Sequence, residues 1–306
     1  IASLKDVLGD MTLTNLLIEE LDLSQINFNG NTLTLQCKQL NKIVGSETFN
    51  GSLFLLPKDC RLTEFTLEGI SNIQGDFQCI DYFYVKEFVM PFIRVAGDMT
   101  IALNSGSVNT AAEIEFPKLQ EIGGTLTLGT NRNANNITFP LLKKILGSCS
   151  VTTYKLKNDI EFTNLESIGT DGADAQIKFE IEATNILCPK LKTINGKFDI
   201  ATSSFMFDME VDKVSYPNVE SISENLSITC PYSDFGSNGI LSIDFSGLKS
   251  AKGISISGQG DVTDFSSFKY LFENNVLTGE SQWSVKECGY NPTFQEMKDG
   301  KYKLAE

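Results

Sequence analysis

One thirteen-residue segment recurs along this chain and constrains its fold more than any other feature. Phe116-Pro-Lys-Leu-Gln-Glu-Ile-Gly-Gly-Thr-Leu-Thr-Leu128 returns with the same apolar positions at Phe139–Val151, Cys188–Ile200 and Tyr216–Ile228. Shorter copies begin at Phe162 and Phe245, so the starts at 116, 139, 162, 188, 216 and 245 step by 23, 23, 26, 28 and 29 residues. Cys37–Gly45, Ile73–Cys79 and Pro91–Ile101 read as degenerate copies nearer the N-terminus. A period in this range marks a stacked-coil architecture, in which each unit is too small to bury its own apolar side.

The consensus Ile-x-Phe-Pro-x-Leu-x-x-Ile-x-Gly-x-Leu-x-Ile contains two stretches of strict alternation, Ile-x-Phe and Leu-x-Ile, which predict two short half-buried strands per unit. Proline after the first strand removes a donor and ends that ladder. Between the strands the apolar positions fall three apart, which predicts a single wound turn, and the glycine before the second strand permits a tight bend or a positive φ. No amphipathic helix separates the strands, so a doubly wound α/β fold is not expected. The reading is a mainly β chain, a parallel β-solenoid over 37–265. An N-terminal cap with a first irregular coil occupies 1–36, and a C-terminal cap and tail 266–306. Ser3–Leu8 is expected to be a capping helix ending at Gly9. Phe265, Phe268 and Phe272 fall on one helical face that would close the other end. Thr293 and Glu296 form a capping-box pair before Gly300. Trp283, Tyr290 and Phe294 are expected to pin the tail to the last coil.

These repeats resemble the receptor L domain, a leucine-rich-repeat-like right-handed β-helix of growth-factor receptor ectodomains, fungal wall proteins and bacterial surface proteins. The likeness covers about 37–265 and is closest over 116–257. The segment from Gln282 to Tyr302 is similar to the tail of gut-bacterial surface lipoproteins that carry such repeats. The resemblance implies an extracytoplasmic, cell-surface location, as an outer-membrane lipoprotein or a secreted protein. It implies an adhesion or recognition role toward an extracellular glycan or a host or surface protein. The chain starts at Ile1, so a leader is expected to have been removed. No apolar run approaches the ~20 residues of a membrane span, and a monomer is expected.

Composition narrows the chemistry. The chain has no histidine, which removes Ser-His-Asp and Cys-His pairs and histidine-ligated metals. With 25 Lys and Arg against 39 Asp and Glu, its net charge of −14 argues against nucleic acid or an anionic membrane as partner. Of 7 cysteines, five align with core positions: Cys149 with Leu126, Cys79 with Leu128, Cys37 and Cys188 with Phe116, and Cys230 on the inward alternation. Cys60 and Cys288 lie outside the repeat, and no CxxC occurs, so neither zinc nor redox chemistry is expected. No phosphate-binding loop, G-x-S-x-G or HExxH motif is present, and no cofactor is expected.

The outward positions of the second strand are mostly Thr, Ser and Asn, with Lys178, Glu180, Lys197 and Asp199 as the charged exceptions. A carbohydrate-active β-helix enzyme, lyase or glycosidase, would need converging carboxylates, and Glu180, Asp199 and Asp208 are its candidates. The plainer reading is a salt pair between Lys178 and Asp199 on neighbouring strands. Two insertions, 201–215 and 229–242, leave consecutive coils at the same point and must emerge together. They carry Phe205, Phe207, Asp208, Tyr232 and Phe235, the candidate ligand-binding rim; the competing reading is a self-packed loop over the solenoid flank. Acids at 208–212 and at Asp171 and Asp174 lack the full ligand set of a calcium loop, so no metal site is assigned. The expectation is a non-enzymatic recognition module, with a plain structural scaffold of a larger surface lipoprotein as a further alternative.

Overall fold

The computed structural model describes residues 4–14, 17–56, 64–80, 87–102, 112–129, 134–152, 158–172, 174–181, 185–202, 213–230, 242–260 and 262–305. The chain is a parallel β-solenoid with very little helix. Among the described residues its longest sheet has twelve strands, from Met11–Thr14 through Leu126–Leu128 to Trp283–Cys288, in an order that follows the coils. The alternation that predicted these strands is the alternation of burial. Leu126, Cys149, Ile177, Phe198 and Leu226 occupy successive rungs and are buried, while Thr127, Ser150, Lys178, Asp199 and Ser227 point outward beside them.

The Ile-x-Phe segments form the first face of each coil, split into groups of three, five and two strands. The winding segment, read from sequence as a turn, carries a third sheet. Two-residue strands such as Glu121–Ile122 and Lys144–Ile145 stack into eight strands, with Val95, Ile122, Ile145, Ile168, Ile194 and Ile222 in one buried ladder. Once coils stack, each winding segment lies beside its equivalent, and pairing is the nearest way to satisfy its backbone groups. Each complete repeat therefore turns three times. The corner after the first face is filled by phenylalanine: Phe116, Phe139 and Phe162 stack at centroid separations of 4.8 and 5.0 Å.

The glycine of the consensus has a steric role. Gly51, Gly75, Gly97, Gly124 and Gly147 stack directly, each amide from Gly75 onward donating to the preceding glycine's carbonyl at 2.9–3.0 Å. None of the five has a positive φ. A Cβ on Gly97 would lie 2.8 Å from the carbonyl carbon of Gly75, so the coils approach too closely for any side chain. The next residue closes the same corner. Asp76 Oδ1 accepts from the Asp98 amide at 2.8 Å, and Asp98 Oδ1 accepts from the Thr125 amide at 2.7 Å.

The N-terminal region departs from expectation twice. Leu4–Leu8 are not helical: Asp6 forms a parallel bridge to Asn27, with the Val7 amide donating to the Asn27 carbonyl at 2.8 Å. Backbone partners across the coil outcompete a helix of barely one turn. The copy assigned at Cys37–Gly45 is displaced by one face. Ile43 pairs with Leu67 on the first face, and Phe49 opposite Ile73 occupies the position expected of Ile43. Cys37 is buried, but at the end of a long-sheet strand, where its thiol lies 3.5 Å from the Leu13 carbonyl.

At the other end the predicted closure holds. A short 3-10 turn at Ser266–Phe268 and a helix at Lys269–Glu273 bury Phe265, Phe268 and Phe272. Trp283 packs on all three, at centroid separations of 5.1–6.1 Å. The Thr293–Glu296 capping box opens the helix Phe294–Lys298, and Gly300 takes a φ of +80° beyond it. No helix among the described residues is long and apolar enough to cross a membrane.

Cys79, Cys149 and Cys188 are buried, and Cys288 is half-buried. Cys60 lies outside the described residues, as does the side chain of Cys230. Burial pushes the Cys149 and Cys188 thiols far above their ordinary range, because a thiolate has no compensating charge there. Iodoacetamide applied to the native protein should therefore leave Cys149 and Cys188 unmodified and alkylate them in guanidinium chloride, as read by peptide mass mapping. Native labelling of Cys149 as fast as its labelling in guanidinium chloride would contradict this placement.

Candidate functional site

The outward face of the long sheet is one continuous ladder. Thr100, Thr127, Ser150, Lys178, Asp199, Ser227, Ser255 and Ser284 are successive rungs. The predicted register of Lys178 opposite Asp199 is observed, but the charges pair along each strand. Lys178 Nζ lies 2.6 Å from Glu180 Oε1, and Lys197 Nζ lies 2.9 Å from Asp199 Oδ2. Residues two apart in a strand share a face, so the lysine beside each acid reaches it before the cross-strand partner does. Thr152 Oγ1 also donates to Glu180 at 2.9 Å. The Lys178 ammonium, hydrogen-bonded to Glu180, holds that carboxyl below its ordinary range. Glu180 stands opposite Ala201, not opposite Asp199. Glu180 is thus held as an ionised salt-bridge partner, unlike the raised general acid that glycoside hydrolysis requires.

All five rim residues of the sequence reading, Phe205, Phe207, Asp208, Tyr232 and Phe235, lie outside the described residues, as does the acidic stretch to Asp212. The strands that carry the insertions are described. Gly196–Thr202 and Asn225–Cys230 are neighbours, with Ala201 opposite Thr229 where the two insertions leave. The chain returns through Lys213–Ser215 and Ser242–Asp244, also paired, with Val214 opposite Ile243. The roots of both insertions are therefore held side by side at departure and return. Thr202, at the first root, is buried, and its hydroxyl has no hydrogen-bond partner among the described residues.

Sequence reasoning missed a break in the first face at this same place. Ile186–Leu187 ends its group of five strands, and Lys213–Ser215 begins the next. Tyr216 holds the phenylalanine position of the repeat, and its hydroxyl donates to the Ile186 carbonyl at 3.0 Å. That carbonyl sits where the sheet divides, and the buried phenol needs an acceptor, so the two satisfy each other. Burial pushes the Tyr216 hydroxyl well above its ordinary range. A cavity of about 140 Å³ remains in the break, lined by Ile181, Leu187, Val214 and Tyr216 among others. Tyrosine in place of phenylalanine was the visible signal. Further along, a groove of about 390 Å³ runs over the outward ladder at Lys197, Asn225, Ser227, Ser255, Gln282 and Ser284.

No cluster of three or more Cys, Asp or Glu among the described residues is arranged to hold a metal ion. Set against protein families, curated proteins and solved structures, the chain finds no match in any of the three.

Proposed function

We propose that this chain is a non-enzymatic recognition module of the receptor L type, displayed at an extracytoplasmic surface and binding a glycan or protein ligand through the 201–215 and 229–242 insertions. The observation that supports this most directly is the pairing at their roots, Ala201 with Thr229 and Lys213 with Ser242. It anchors two long segments rich in aromatic and acidic residues on rigid neighbouring strands, the arrangement in which a scaffold presents a binding loop. Aromatic faces at Phe205, Phe207, Tyr232 and Phe235 would cover apolar sugar or protein surface, and Asp208 would accept hydrogen bonds. The pairing of Glu180 and Asp199 with lysines favours recognition over hydrolysis. Glycan and protein arrays probed with the wild type and with the Phe205→Ala/Tyr232→Ala double variant test the reading. The expected result is a specific ligand whose binding falls at least about tenfold in the variant, the equivalent of roughly 1.4 kcal/mol. Unchanged binding to that ligand would remove the insertions from the site.

A further inference from the structure

Among the described residues, the last strand of the long sheet, Trp283–Cys288, has a strand neighbour on one side only, Gly253–Gly260. Throughout this sheet the inward residues turn their backbone groups toward the following coil. The Leu53 amide donates to the Asp76 carbonyl at 2.9 Å and the Met99 amide to the Thr125 carbonyl at 2.8 Å. By that alternation Ser284 and Lys286 bond back to Gly253–Gly260, while Trp283 and Val285 face away from the sheet. The chain closes both ends of this edge itself. The Trp283 amide donates to the Glu280 carbonyl, and the Cys288 amide donates to Asn291 Oδ1 at 3.0 Å. Between them the Trp283 carbonyl and the amide and carbonyl of Val285 have no partner among the described residues.

Beside these open groups runs a groove of about 460 Å³, between Trp283–Val285 and residues 291–295. Trp283, Val285 and Phe294 are its apolar lining, and Glu280, Asn291 and Gln295 its polar lining. Its far wall is fixed, because Trp283 Nε1–H donates to the Pro292 carbonyl at 2.9 Å and the Trp283 ring packs on Phe272. We propose that this groove binds an extended polypeptide segment, which adds to the open edge as a thirteenth strand. The chemistry selects a peptide. An acceptor, a donor and a second acceptor in line along a strand edge match backbone groups that recur every second residue, a periodicity that sugar hydroxyls do not have. An apolar side chain of that segment meets Val285 and Phe294, and the Glu280 carboxylate favours a Lys or Arg at one end. The site is distinct from the insertions and stands whether or not they bind a ligand.

The test uses the full chain and a library of fluorescein-labelled octapeptides that alternate apolar and polar residues, read by anisotropy. Trp283 is the single tryptophan of the chain, so its emission, followed with the unlabelled peptide, reports occupancy of the groove. The expected result is a peptide that shifts Trp283 emission and loses at least tenfold in affinity when N-methylated at every second residue, but not at the alternate positions. Gln295→Phe, an exposed change that fills the groove, should weaken binding tenfold or more. The Phe205→Ala/Tyr232→Ala variant should bind the peptide as the wild type does, so this site and the insertions fail or survive separately. Absence of any binding peptide, indifference to the position of N-methylation, or a Trp283 response to oligosaccharides and not to peptides would each overturn the proposal.

Discussion

Phe139→Ala is expected to destabilise the protein by about 3–5 kcal/mol, the usual cost of emptying a buried phenylalanine site. Phe139 is fully buried between Phe116 and Phe162, with ring centroids 4.8 and 5.0 Å away. Truncation removes both ring contacts and leaves a void that the flanking rings cannot fill without leaving their own corner. Collapse is restricted because strands in a parallel sheet keep a spacing of ~4.8 Å. Coils of a solenoid touch only their neighbours, so the damage should be local. Hydrogen exchange should accelerate over residues 112–168 and stay near wild type at Thr32–Leu55. Phe139→Leu, which retains most of the volume, should cost clearly less. Equal urea midpoints for the Ala and Leu variants, or uniform loss of protection along the chain, would contradict a stacked corner that carries local stability.

Gly124→Ala should cost about 3 kcal/mol, the upper part of the range for overpacking. The added Cβ would stand 2.7 Å from the Gly97 carbonyl carbon and 2.8 Å from the Asp98 nitrogen. Both are backbone atoms, so relief requires two coils to separate, at the expense of the Gly124–Gly97 hydrogen bond and the Asp98 bond to Thr125. Gly9→Ala is the control: nothing lies within 4 Å of its Cβ and its φ is not positive. It should be neutral or stabilising by up to about 1 kcal/mol through the unfolded state. Urea unfolding followed by circular dichroism compares the two. A Gly124→Ala midpoint equal to that of Gly9→Ala would mean that close approach of the coils is not what selects glycine there.

Much of this architecture was legible because burial in a strand repeats every two residues and coil contacts repeat every coil. Leu126 and Cys149 were readable as one ladder from their place in the repeat, and Cys79 likewise aligned with Leu128, which the structure joins through Ile101. The C-terminal closure was equally visible, in the spacing of Phe265, Phe268 and Phe272 and in the Thr293 capping box. What failed did so where local pattern competes with a distant partner. The Leu4–Leu8 segment has a helix-like start, yet Asn27 takes its backbone. The Cys37–Gly45 copy fits the consensus by residue type, but its coil is wound one face out of step. Along 178–180 and 197–199 the charges could pair within or across strands, and side-chain reach decided for the strand. The insertion roots were predicted to emerge together, and Ala201 opposite Thr229 agrees, while their aromatic residues lie outside the described chain.

The sequence by itself determined the inward ladders, the coil period and the closed C-terminal end, because each depends on which side chains avoid water within a few residues. The tertiary structure alone decided the third sheet, the break bridged by Tyr216 and the open edge at Trp283 and Val285. Those features depend on where backbone donors and acceptors meet between residues 22 to 30 positions apart. Every residue carries the same backbone groups, so no pattern of side chains announces which of them will be left without a partner.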